Sequence, residues 1–161
     1  MWLIWVWVFL LGLVIGSFLN VVVYRVIHGD SPLRGRSVCP KCGKKISWWD
    51  NIPLISFVLL RGKCRYCRKQ ISWQYPMLEL LTGMLFLWWF GVGQLFFRLS
   101  LDPFATIQPI FWLAVGVGLI SLIVADLFYG LLPDIFTLPL ILMSLVYRVG
   151  LTMAGVMQVK D

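Results

Sequence analysis

Apolar positions along this chain fall into long uncharged blocks separated by one polar stretch. The first block, Trp2 to Tyr24, carries no charge. As a helix rising ~1.5 Å per residue, it is long enough to cross the ~30 Å hydrocarbon core of a bilayer. Gly12, Gly16 and Asn20 recur every fourth position. A helix puts them on one face, where small residues let a second helix approach closely. Asn20, polar at membrane depth, is expected to face protein or water rather than lipid. The block has no basic lead-in and no Ala-x-Ala site after it. That argues against a cleaved signal peptide.

Three further blocks follow the polar stretch. The second predicted span is Met77 to about Phe97, and the third is about Phe104 to Ala125. Arg98, Asp102 and Pro103 make a polar turn between them. A break from Asp126 to Asp134, with Gly130 and Pro133 as its punctuation, precedes a weaker fourth span, Ile135 to Tyr147. Arg148 would then snorkel toward the far interface. Within the polar stretch, Ile52 to Leu60 is apolar but too short to cross as a helix. It reads as a buried strand or an interfacial segment, and periodicity does not choose between them. The pattern shows no internal repeat.

Composition agrees with this pattern: 60% of the 161 residues are hydrophobic and 13% are charged. That excludes an ordinary soluble domain and a disordered chain. The expected fold is an all-α polytopic membrane protein of about four helices with a small zinc-ribbon-like loop. The expected segments are residues 1–24, 25–76 and 77–161. Location gives the net charge of +7 its meaning. Eleven of the fourteen basic residues (Arg25, Arg34, Arg36, Lys41, Lys44, Lys45, Arg61, Lys63, Arg65, Arg68 and Lys69) lie between residues 25 and 74, opposed by Asp30 and Asp50. The positive-inside rule puts this loop in the cytoplasm. Counting spans then brings Glu79 and Asp126 to the same side, and the 98–103 turn to the other.

All four cysteines lie in the loop, as Cys39-Pro-Lys-Cys42 and Cys64-Arg-Tyr-Cys67, with 21 residues between the pairs. Each turn aims two thiolates at one point, and two turns complete a tetrahedral site that favours zinc. Four protein ligands close the site, so the metal would be structural. Two disulfides or four free thiols are the alternatives, and a reducing compartment disfavours the disulfides. The neighbouring Lys and Arg offset the charge of a tetrathiolate centre. Trp48, Trp49, Tyr66 and Trp73 could stack on nucleic acid. Beside a membrane, however, a basic, Trp-rich loop is attracted first to anionic lipid.

Asp126 ends more than twenty uncharged residues. A carboxylate at that depth is costly and marks either function or the interface. It shares a helical face with Gly118 and Leu122. Asp134 follows a proline at a helix start, where an N-cap is the plain reading. Glu79, near the start of span two, reads as a first-turn acid favoured by the helix dipole.

Taken together, four ordered segments resemble the bacterial type IV prepilin peptidases. They are Gly16-Ser-Phe-Leu-Asn-Val-Val-Val-Tyr-Arg25, the stretch Asn51 to Cys64 between the knuckles, Tyr75-Pro-Met-Leu-Glu-Leu-Leu-Thr-Gly83, and Asp126 to Pro139. The resemblance implies an aspartic endopeptidase at the cytoplasmic face of the bacterial inner membrane. Such an enzyme cuts the leader from prepilins of type IV pili or pseudopilins of type II secretion. It then methylates the new N-terminus with S-adenosylmethionine. The resemblance assigns Asp126 the role of first catalytic aspartate. No Gly-rich nucleotide loop follows a strand here, so the methyl donor rests on the resemblance alone.

The sequence departs from the family at the second aspartate, which belongs to a Gly-x-Gly-Asp motif in a later span. These residues contain no such motif, and neither Asp134 nor Asp161 replaces it. The expectation is an N-terminal piece of a longer enzyme, or a truncated product, that does not cleave prepilin alone. The competing expectation is a non-catalytic, membrane-anchored zinc module that binds a protein or anionic lipid.

Overall fold

A computed structural model describes residues 2–32, 35–99 and 107–153, with side chains of 94–99 excepted. Arg34, Asp102, Pro103, Phe104 and Asp161 lie outside the described residues. Five α-helices form: α1 Trp2–Ile27, α2 Ile55–Leu59, α3 Gln74–Leu99, α4 Ile107–Tyr129 and α5 Asp134–Met153. A 3₁₀ turn covers Trp48–Asn51. Among the described residues there is no strand, only single bridges pairing Val38 with Lys45 and Lys63 with Gln70. Helices α1, α3, α4 and α5 are each long and apolar enough to cross a membrane. Helix is the form this composition must take there, because lipid satisfies no backbone polar group. The fold is an all-α polytopic membrane protein carrying a cysteine-rich loop.

The helix pair α1–α3 is the core. A Cβ on Gly12 would lie 2.8 Å from the Gly83 Cα and the Thr82 carbonyl oxygen, and one on Gly16 would lie 2.7 Å from the Glu79 Cα and overlap the Thr82 hydroxyl. The glycines are therefore what lets the two backbones touch. Asn20 completes the same face: it is 1% exposed and donates from Nδ2 to the Tyr75 carbonyl at 3.0 Å. Further along the pair, Trp5 meets Phe90 edge-on at 5.1 Å. The Trp89 indole N–H joins α3 to α4 through the Pro109 carbonyl, 2.8 Å away. Between α4 and α5, a Cβ on Gly118 would meet Leu140 Cδ2 at 2.9 Å, and Phe111 stacks on Tyr147 at 4.2 Å. None of α5 is buried.

The structure moves several expected boundaries. Helix α3 begins at Gln74 rather than Met77, so Glu79 belongs to its second turn and not to its first. Helix α4 continues through Asp126 to Tyr129. The predicted break is thus confined to residues 130–133, where Gly130 takes φ +63 and its N–H closes the last turn on the Asp126 carbonyl at 2.8 Å. Helix α5 begins at Asp134 itself and runs past Arg148 to Met153. Of the two readings of the Ile52–Leu60 run, the buried strand is not formed: the run is a turn and the short helix α2.

Candidate functional site

The loop between α1 and α3 is built twice. Residues 39–48 and 64–73 share the pattern Cys-x-x-Cys-x-Lys-x-Ile-Ser-Trp, and the backbone repeats with it. The Cys39 N–H donates to the Lys44 carbonyl at 2.9 Å, and the Cys64 N–H to the Lys69 carbonyl at 2.9 Å. The N–H groups of Gly43 and Arg68 close each knuckle on the carbonyls of Cys39 and Cys64, and those of Ile46 and Ile71 pair with Ser37 and Gly62. Gly43 and Arg68 also share a left-handed conformation, φ +68 and +59. This repeat corrects the reading of the sequence as free of one. The signal was there in the Lys, Ile, Ser and Trp that follow each cysteine pair.

The two knuckles bring the Cys39, Cys42, Cys64 and Cys67 sulfurs within 4.8 Å of one another, with Cys39 and Cys67 at 4.0 Å. All four are free thiols, and the disulfide alternative is not formed. A tetrahedral tetrathiolate zinc has Zn–S near ~2.3 Å, hence sulfur–sulfur edges of ~3.8 Å. The donor set therefore fits a zinc ion with little adjustment. The thiols do not share charge evenly. The Cys67 backbone N–H brings Cys64 down to about 7. At Cys42 the Lys44 N–H pulls downward, but desolvation and the Cys39 and Cys67 sulfurs outweigh it and push the thiol up to about 11. A divalent cation held there would stabilise all four as thiolates. Outside the cluster, Arg65 grips Asp50 in a bidentate pair at 2.6 and 2.9 Å.

The loop is moored to the bundle. The Leu54 N–H donates to Glu79 Oε2 at 2.9 Å. Leu54 holds φ +58 to do so, a conformation uncommon outside glycine. Arg25, at the end of α1, donates to the carbonyls of Pro32, Gly35 and Arg36. Neither mooring was legible in the sequence, since no residue pattern marks a side chain that meets a backbone group of the loop. Between loop and bundle lies a cavity of about 860 Å³, walled by Ser17, Tyr24, Phe57, Tyr75, Glu79 and Tyr129 among others. Two buried polar atoms beside α1 and α3, Asn20 Oδ1 and Gln74 Nε2, have no protein partner.

Asp126 sits at this end of the bundle. Three residues on, Tyr129 meets His28 edge-on at 6.4 Å, and His28 stacks on Tyr24. These contacts fasten the end of α4 to the end of α1, where the cysteine loop begins. Phe128 and Tyr129 line the cavity; Asp126 is not in its wall and is exposed. Asp134 is also exposed. Among the described residues, no hydrogen bond or ion pair reaches either carboxylate. The four cysteines are thus assembled into one site, and Asp126 stands apart from it.

Comparison with known proteins adds the family. The family described as the bacterial peptidase A24 N-terminal domain matches residues 10–92, which takes in most of α1, both knuckles and most of α3. A prepilin leader peptidase/N-methyltransferase of Myxococcus xanthus is 54% identical over 81 residues, 50% of this chain and 24% of that protein. Proteins of the same name from Neisseria gonorrhoeae and Vibrio cholerae are 37% and 36% identical, each over 86% of this chain and 53% and 54% of their own lengths. The chain spans about half the length of these last two relatives. No solved structure matches. With the matched region covering the assembled cysteine site and the helices that carry it, the chain belongs to the bacterial peptidase A24 N-terminal domain family.

Proposed function

We propose that these residues form the N-terminal half of a membrane aspartic endopeptidase. It removes the leader from prepilins or pseudopilins at the cytoplasmic face and N-methylates the new N-terminus. The observation that carries the reading is the family match over residues 10–92, joined to relatives named for both activities. The basic loop lies in the cytoplasm, on the positive-inside argument. Cys39, Cys42, Cys64 and Cys67 hold a structural zinc that fixes both knuckles. S-adenosylmethionine, when bound, supplies the methyl group.

Asp126 contributes one carboxylate of a catalytic pair. Two carboxylates sharing a site cannot both ionise easily, so one holds a proton while the other does not. The ionised member takes a proton from water as that water attacks the scissile carbonyl. The protonated member donates to the carbonyl oxygen. The exposure of Asp126 at the loop end of α4 suits this role, because water and an extended peptide can both reach it. The second carboxylate comes from a Gly-x-Gly-Asp segment outside residues 1–161.

The test is reconstitution. Residues 1–161 are fused to the C-terminal half of the gonococcal relative and expressed with a model prepilin. The fusion is expected to remove the leader, and residues 1–161 alone are not. A fusion that inserts and holds zinc but leaves the leader intact would favour a non-catalytic zinc module. Cleavage by residues 1–161 alone would contradict the assignment of the second carboxylate.

A further inference from the structure

The short helix α2 has two unlike sides. Ser56, Phe57 and Leu60 turn toward the cavity, and Phe57 packs on Trp73 with ring centroids 5.2 Å apart. The opposite side presents Ile55, Val58 and Leu59, spaced i, i+3 and i+4, so they share one face. They are 54%, 71% and 77% exposed. Three large aliphatic side chains together on a five-residue helix need a covering phase other than water.

The mooring fixes where this face lies. Glu79 is the sixth residue of α3, so its Cα is ~7.5 Å along the helix from Gln74, at ~1.5 Å per residue. Side chains lean toward a helix N-terminus. The Leu54–Glu79 hydrogen bond therefore holds α2 beside the first turns of α3, not above the end of the helix. Helix α3 reaches the loop end at Trp73 and Gln74, and Trp73 is 72% exposed, as befits an aromatic residue at a membrane boundary. The apolar face of α2 is thus held beside the first turns of α3, at the end of the helix that Trp73 precedes. Arg61 and Lys63, the next basic residues along the chain, are exposed. Among the described residues no carboxylate pairs with either, so they are free to meet lipid phosphates.

We propose that α2 is a membrane-interface anchor: Ile55, Val58 and Leu59 insert into an anionic bilayer, with Arg61 and Lys63 on the headgroup phosphates. The cysteine loop then lies on the membrane surface rather than standing off into solvent. The occupant is bilayer lipid because the face sits beside transmembrane helices at interfacial depth and its flanking charge is positive.

The test places a fluorophore on the face. Val58→Cys in the full chain, with zinc bound, is labelled with an environment-sensitive dye. The protein is reconstituted in phosphatidylethanolamine–phosphatidylglycerol vesicles, and nitroxides are carried on the lipid at shallow or deep acyl positions. Unsubstituted protein treated alike gives the labelling blank, and Lys45→Cys, exposed and outside both the Cys-x-x-Cys turns and the cavity wall, is the reference. Val58 and Leu59 point away from the protein, so folding is little disturbed, and the zinc-to-protein ratio verifies it. The proposal expects blue-shifted emission at position 58 and a loss of fluorescence greater with the shallow nitroxide than with the deep one. The reference should emit as in water. Emission at position 58 matching the reference would overturn the proposal. So would a blue shift that no lipid nitroxide quenches, which would mean that protein covers the face.

Discussion

Arg68 shows how a single residue exposes the plan of the loop. It occupies the left-handed position that Gly43 fills in the first knuckle, and a side chain there costs about 1–2 kcal/mol relative to the right-handed region. Arg68→Gly should therefore stabilise the second knuckle by about 1 kcal/mol, and Gly43→Ala should destabilise the first by a similar amount. Resistance to zinc stripping by a chelator reads both. The thiols add a pH dependence. Cys64 is lowered from 9.0 to about 7, so its thiolate contributes stability that is present at high pH and lost as pH falls through that value. Protons also compete with metal for every thiol. Zinc retention at fixed chelator concentration should thus fall as the solution is acidified through neutrality, and a flat profile would contradict the tetrathiolate site. Close to one zinc per chain is expected, lost when Cys39→Ser and Cys42→Ser are combined; elemental analysis of the purified protein measures it.

The helices and the loop depend on close approaches that larger or less polar side chains would break. At Gly16 any side chain meets the Glu79 backbone and the Thr82 hydroxyl. Gly16→Leu should cost about 1–3 kcal/mol through overpacking and lower the melting temperature in detergent, whereas Leu at the exposed Val14 should not. Glu79→Leu removes the acceptor for the Leu54 N–H and leaves a part-buried donor unpaired, worth about 1–3 kcal/mol; Glu79→Gln keeps an acceptor. Faster amide exchange at Leu54 in the leucine variant but not in the glutamine variant would verify the mooring. These elements also show what the sequence could and could not disclose. The long helices were legible because uncharged length alone announces a span, and the Gly12–Gly16–Asn20 face because its spacing matches the helix. The cysteine pairs disclosed their common site through spacing. The end of α4 was misplaced, because a lone aspartate after an apolar run reads as a boundary although helical hydrogen bonding continues to Gly130. The Leu54–Glu79 contact was invisible, since no pattern marks a backbone donor meeting a side chain 25 residues away.

At the scale of the molecule, the cysteine loop, the cavity and the end of α4 gather at one end of the bundle. Counting spans from the loop charge anticipated that convergence, and the contact of Tyr129 with His28 gives it a physical form. The arrangement places the four-cysteine loop and Asp126 at the same end of the helix bundle. The central claim is that Asp126, and not Asp134, serves the cleavage. It is tested most directly by measuring leader removal in the reconstituted fusion carrying either Asp126→Asn or Asp134→Asn, at equal membrane insertion and zinc content. The account predicts a loss of about 10²–10⁴-fold or more for Asp126→Asn and near-normal cleavage for Asp134→Asn. Cleavage by the Asp126→Asn fusion at the unsubstituted rate would contradict it.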